Sequence, residues 1–167
     1  MKTILPLPSQ EELHRFFEYK KGNLYWKIKT SQRIKIGDKV GSLDSKGYVV
    51  LKLNNLPYKM HRIIWVYHYD TISSNLQIDH IDGNKTNNMI ENLRLATNSQ
   101  NKSNNKRAHC NSKSNILGVH WSKTKRKWVS QIRKNKKAIH LGCFVNQEDA
   151  IAARKAAELQ YFGEFAP

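Results

Sequence analysis

No acidic residue stands between Glu91 and Glu148. Over the same stretch the chain carries Arg94, Lys102, Lys106, Arg107, Lys113, Lys123, Lys125, Arg126, Lys127, Arg133, Lys134, Lys136 and Lys137. A solvated helix face mixes charge signs, so a one-sign block of this length implies a polyanionic partner. The excess runs through the whole chain, with 29 Lys and Arg against 13 Asp and Glu in 167 residues and a formal charge of +16. Cysteine is nearly absent as well. Cys110 and Cys143 stand without any Cys-x-x-Cys pairing, which excludes a disulfide framework and predicts free thiols in a reducing compartment. His109-Cys110 would be half of a zinc site, and no second half is visible. No apolar run reaches the length of a bilayer, no signal-peptide pattern opens the chain, and no basic amphipathic helix suits an anionic membrane surface. The expectation is no membrane, no zinc and a cytoplasmic location.

With 39% hydrophobic and 10% aromatic residues, a modest core is within reach. Ser9-Gln10-Glu11-Glu12 is a capping box, followed by Leu13, Phe16 and Phe17 at helical spacing and Gly22 as a stop, which predicts a helix over residues 10–20. Residues 24–29, 40–43 and 48–53 read as strands, the last two joined by the turn Asp44-Ser45-Lys46-Gly47. Val49, Leu51 and Leu53 alternate with Val50, Lys52 and Asn54, the pattern of one buried face. Residues 60–69 read as a helix with Ile63, Ile64, Val66 and Tyr67 largely inside. From Lys20 to Arg62 only Asp38 and Asp44 oppose the basic residues, so the small sheet is a basic surface.

The stretch Gln77-Ile78-Asp79-His80-Ile81-Asp82-Gly83-Asn84 carries the densest chemistry. It sets a hard oxygen ligand beside a base able to take a proton near neutral pH. Asn92 follows in Glu91-Asn92-Leu93-Arg94, and Asn101 in Ser99-Gln100-Asn101. This order of Asp-His, Asn and Asn resembles the HNH nucleases, the ββα-metal fold. The resemblance implies a hairpin with strands at 77–79 and 93–96 and a helix at 98–104. By it Asp79 and Asn101 hold one divalent ion, Mg2+ or Mn2+, His80 is the general base, and Asn92 orients the histidine. Arg94 points at the scissile phosphate or into a local ion pair, and the scarcity of nearby acids favours phosphate. The His61-Arg62 pair is also common in such phage nucleases. Arg62 is expected on DNA, and His61 is either catalytic or packed beneath the hairpin, the second being favoured.

Residues 105–114 are polar, basic and apolar-poor, the composition of a linker. Beyond them, Lys127, Val129, Gln131 and Arg133 alternate with Trp128, Ser130 and Ile132, a strand with two distinct faces. Asn135-Lys136 makes a turn, Asn146-Gln147-Glu148-Asp149 opens a helix, and Ala150, Ala153 and Ala157 let that helix sit close on a sheet. Gly118-Val119-His120-Trp121, Lys127 to Arg133, His140-Leu141-Gly142-Cys143-Phe144, Asp149-Ala150, Ala153 and Phe162-Gly163 resemble an AP2/ERF DNA-binding domain. That family implies a three-stranded antiparallel sheet on one helix, entering the major groove. Its members usually carry arginine where this chain has Leu117 and His120. His120, Ser122, Arg126, Trp128, Gln131, Arg133 and His140 are the candidate DNA-facing residues, with Trp128 alternatively in the core. Lys127, Lys134, Lys136 and Lys137 are expected on DNA too, the last three on phosphates.

The combined expectation is an α+β chain in three parts: residues 1–104, an N-terminal antiparallel sheet with the HNH motif; 105–114, a linker; and 115–167, an AP2/ERF-like domain. Its function would be a metal-dependent, site-specific, strand-nicking endonuclease of homing type, acting on double-stranded DNA in a phage or bacterial host and monomeric without DNA. The rival is a transcription regulator with a non-cleaving HNH fold. An RNA-binding protein fits the charge but not the Asp-His string.

Overall fold

A computed structural model describes residues 6–104, 114–135 and 137–166, with the side chain of Ser103 excluded. The linker residues 105–113, Cys110 and Lys136 lie outside this description. The chain divides into two compact units, Met1–Thr97 and Asn98–Pro167.

The first unit opens with α1 (Gln10–Phe16), where the Ser9 hydroxyl accepts the backbone N–H of Glu12 at 3.1 Å. The helix ends earlier than its sequence suggests. Phe17 begins β1 (Phe17–Lys20), which pairs antiparallel with β2 (Asn23–Trp26), Phe17 facing Trp26. Gly22 is therefore a hairpin residue, not a helix stop. Its φ is +77°, and a Cβ there would lie 2.7 Å from the backbone nitrogen of Met89, so the close approach of two backbones requires glycine. Next come β3 (Ser42–Leu43), β4 (Val49–Leu53) and β5 (Leu56–Lys59), hydrogen-bonded in that order. Asp44 holds the turn between β3 and β4 by accepting the N–H groups of Lys46 and Tyr48, each at 2.9 Å.

Helix α2 (Met60–Tyr69) follows β5 directly and buries Met60, Ile63, Ile64 and Val66 against α1 and the β3–β5 sheet. With Leu13, Phe17, Leu24, Leu51 and Leu53 these side chains form the core of the unit. Each such buried side chain contributes about 1.5–3 kcal/mol relative to exposure. The core also takes Ile78 and Leu93 from the antiparallel hairpin β6 (Gln77–His80) and β7 (Leu93–Ala96).

The second unit contains α3 (Asn98–Ser103), the strands β8 (Val119–Ser122), β9 (Lys127–Lys134) and β10 (Lys137–Phe144), and α4 (Gln147–Phe162). The strands form an antiparallel sheet in the order β10-β9-β8, with α4 packed on it. Ala150 and Ala157 are buried at that contact, where small side chains allow close approach. Asn146 does not bond the helix backbone; its amide donates to the Asp149 carboxylate at 3.4 Å. The sequence did not disclose the strut inside this unit. Arg154 is buried, donates through Nε to Glu158 at 2.7 Å, and donates through Nη1 to the carbonyl of Gln131 at 2.5 Å. Gly118 leaves room for it, since a Cβ there would lie 2.3 Å from the Gln131 oxygen and 2.7 Å from Arg154 Nη1.

Candidate active site

The β6–β7 hairpin places Asp79 opposite Arg94 and His80 opposite Leu93. Both side chains of the Asp-His pair are buried, at 6% and 5% exposure. Arg94 donates to Asp79 Oδ2 through Nε at 3.0 Å and approaches the same oxygen through Nη2 at 2.9 Å. Of the two roles expected for Arg94, a phosphate contact or a local ion pair, the structure shows the ion pair. Its acid was not scarce but directly across the hairpin, where cross-strand pairs of opposite charge stabilise the ladder.

Asn92 was expected to orient His80 and does not. Its Oδ1 accepts the N–H of Asp82 at 3.1 Å, and its Nδ2 donates to Asp82 Oδ1 at 3.0 Å and to the Asn87 carbonyl at 2.8 Å. Asn92 ends a 3-10 turn over Ile90–Asn92 that aims its amide into the 82–87 loop. The residue on the histidine is Asn88, 1% exposed, whose Oδ1 lies 3.1 Å from His80 Nε2. Asn88 Nδ2 donates to the Thr86 carbonyl at 3.2 Å, which fixes which end of the amide meets the ring. An amide oxygen can only accept, so His80 Nε2 carries the proton and donates to it. The lone pair then resides on Nδ1. Burial lowers the pKa of His80, against the Asn88 hydrogen bond and the charges of Asp82 and Asp79, while Lys85 lowers it further. The ring is therefore neutral, and competent as a base, at neutral pH.

His61 lies under the hairpin, its ring edge-on to His80 with centroids 5.0 Å apart, and 5.4 Å from the ring of Tyr48. Burial, helped by the neighbouring charges of His80, Arg62 and Lys59, pushes its pKa down to about 3. It is a neutral packing surface for the base. Arg62 is half-buried at the start of α2.

Asn101 sits on α3, in the second unit, whereas Asp79 and His80 belong to the first. Among the described residues no cluster of three or more His, Cys, Asp or Glu gathers as a metal centre.

In the second unit the strand register sorts the candidate DNA-facing residues. His120 pairs with Val129, Ser122 with Lys127, and Gln131 with His140. Paired residues share a face and alternate residues change it. His120, Ser122, Lys127, Gln131, Arg133 and His140 therefore share the face opposite α4. Arg126 is in the β8–β9 turn at φ +49°. Trp128 falls on the helix side, edge-on to Trp121 at 5.5 Å. Lys134 and its register partner Lys137 also lie on that side, with Lys134 Nζ 5.1 Å from the Tyr161 ring centre. Cys143 shares the open face, its sulfur 3.6 Å from His140 Nε2.

Residues 58–103 match the family described as HNH endonuclease, a segment spanning β5 to α3 and including Asp79, His80, Asn88, Asn92 and Asn101. Protein 3.8 of Escherichia phage T7 is 37% identical over 70 residues, 42% of this chain and 57% of that protein. The chain thus spans little more than half the length of that relative. A solved structure described as "DNA binding and cleavage by the HNH homing endonuclease I-HmuI" matches with a TM-score of 0.44 and 24% identity, over 60% of this chain and 57% of the other. Among the described residues no helix is long and apolar enough to cross a membrane.

Proposed function

We propose that this protein is a metal-dependent, site-specific DNA endonuclease of the HNH kind, nicking one strand of a double-stranded target. The observation that carries the reading is the buried Asp79-His80 pair, its histidine held by Asn88, inside the segment that matches the HNH endonuclease family. His80 Nδ1 takes a proton from water as the water oxygen bonds to phosphorus. The P–O3′ bond breaks, the leaving 3′ oxygen takes a proton from solvent, and the products are a 3′-hydroxyl and a 5′-phosphate. Asn88 and His61 keep the imidazole in position for this step, and burial keeps it neutral against the Asn88 hydrogen bond.

The donor set fits a hard dication. Asp79 would offer a carboxylate oxygen, a donor suited to Mg2+, or Mn2+, which completes its shell with further oxygen donors, water and phosphate. When bound, the ion supplies Lewis-acid stabilisation of the charge that builds at the phosphate.

Target recognition is assigned to the second unit as an AP2/ERF-like module. Its open face presents Gln131 and Arg133, two apart on β9, with His120, Ser122, Lys127 and His140 around them. In a major groove Arg reads guanine and Gln reads adenine. A chain of charge +16 resists self-association without DNA, so one catalytic string acts as a monomer.

The test is incubation with supercoiled plasmid and Mg2+, with and without chelator. Open circle should form first, at a rate linear in protein concentration, and chelator should stop it. His80→Ala should lose about a hundredfold or more in rate while DNA binding is retained. Near wild-type turnover in His80→Ala would refute the mechanism. Direct conversion to linear product, or a rate rising with the square of concentration, would refute monomeric nicking.

A further inference from the structure

Beside the histidine lies a group that the Asp-His-Asn string does not include. Tyr48 ends the Asp44 turn and sets its ring 6.3 Å from that of His80. Two ammonium groups lie over that tyrosine, Lys59 Nζ at 4.5 Å and Lys85 Nζ at 4.6 Å from the ring centre. The two lysines are not equivalent. Lys59 is ion-paired with Asp44, whose carboxyl that partner helps hold down at about 2. Lys85 donates only to a neutral acceptor, the Lys46 carbonyl at 2.9 Å, and has no carboxylate within 4.0 Å among the described residues.

The acid nearest in sequence, Asp82, is committed elsewhere. It accepts from Asn84 N at 2.7 Å, Asn87 Nδ2 at 2.7 Å and Asn92 Nδ2 at 3.0 Å. Asn84 Oδ1 in turn accepts from the backbone and hydroxyl of Thr86. The 82–87 loop is thus pinned by its own side chains, and Lys85 leaves it from a defined place. An ammonium has three donors. Here one is used on a carbonyl, and the charge is steadied by an aromatic face, an arrangement that holds a cation without neutralising it.

We infer that Lys85 is a phosphate-binding residue of the active site, its ammonium engaging a backbone phosphodiester oxygen of the DNA strand lying over His80. This rests on the endonuclease reading and extends it, since it names a residue that places the strand against the base. Lys59, already offset by Asp44, does not share the role.

The experiment uses the full chain, a fluorescent duplex and a salt series in chelator, so that binding is read without cleavage. Nicking rates with Mg2+ are measured alongside. Lys85→Met keeps the apolar stem over Tyr48 and removes the charge. It should reduce the slope of log affinity against log salt by about 0.9, the signature of one lost phosphate contact. Nicking at sub-saturating DNA should fall about tenfold, and Lys85→Arg should restore both most of the way. A Lys85→Met protein with the wild-type salt slope and wild-type nicking overturns the inference and leaves the endonuclease reading standing. So does one with the wild-type slope and a lowered Tm that Lys85→Arg fails to restore, since that is the behaviour of a loop tie alone. Wild-type protein that neither binds nor nicks DNA overturns the endonuclease reading, and this inference with it.

Discussion

Replacing Asn88 by alanine separates orientation of the base from the base itself. In the structure Asn88 is 1% exposed and bonds both His80 Nε2 at 3.1 Å and the Thr86 carbonyl at 3.2 Å. The first bond selects the tautomer with the lone pair on Nδ1. A net hydrogen bond is worth about 0.5–1.5 kcal/mol, so its loss lowers the population of the oriented tautomer by about 2- to 13-fold. Single-turnover nicking by Asn88→Ala should fall within that range, far less than the hundredfold or more expected for His80→Ala. A buried N–H left without its acceptor costs about 1–3 kcal/mol, which should appear as a lower denaturation midpoint. Asn88→Asp still accepts from Nε2 and should recover most of the rate. The assay is plasmid nicking with protein in excess, beside urea denaturation and binding measured in chelator. Wild-type nicking in Asn88→Ala would refute the tautomer assignment. So would a rate loss without a change in stability in Asn92→Ala when Asn88→Ala shows none.

Three further outcomes are expected. His61 has a folded pKa of about 3 against an ordinary value of 6.5, so folding keeps it neutral. The unfolded chain takes up its proton first, and stability should fall as pH drops from 6.5 towards 3, by up to about 1.4 kcal/mol per pH unit; urea midpoints of His61→Phe that track wild type across this window would contradict it. Arg154→Met leaves Glu158 buried without its partner and should destabilise the second unit by about 3–5 kcal/mol. The double change Arg154→Met with Glu158→Leu should recover most of that, and circular dichroism melts showing no recovery would count against the strut. Gln131→Ala and Arg133→Ala should each lose about 1–3 kcal/mol of discrimination at one base pair, whereas Trp128→Phe should leave site preference unchanged; competition binding on single-base variants decides this.

Much of the architecture could be read from periodicity and punctuation. Helix α2 was legible because Met60 to Tyr69 joins a strand directly and carries its apolar residues at helical spacing. The Ser9 cap was legible because it is a local bond. The end of α1 was not. Phe17 continues the helical stripe of Leu13 and Phe16, and only the pairing of Phe17 with Trp26 shows that it starts a strand. Tertiary pairing overrides the local pattern there. On β9 the alternation itself is visible in the sequence, but tryptophan is a residue type that serves either in a core or against DNA. Two-residue periodicity assigns Trp128 to Ile132 and the helix side.

The active site was legible in its chemistry and illegible in its wiring, for a reason that lies in the loop. The segment joining β6 to β7 runs from Ile81 to Asn92, too long for a turn type to dictate the register of the hairpin. Without the register, nothing in the sequence puts Arg94 across from Asp79 rather than on a phosphate. The same segment carries Asn84, Asn87, Asn88 and Asn92, four amides of identical chemistry. Three of them engage the loop itself: Asn84 bonds Thr86, while Asn87 and Asn92 hold Asp82. The fourth, Asn88, is turned inward by the bond to Thr86 and meets the histidine. Composition identifies a residue type able to orient an imidazole, but only the fold of the loop selects which asparagine does so. That selection also leaves Lys85 as the one basic residue of the loop, fixed beside the base by amides that already engage Asp82, the acid nearest it in sequence.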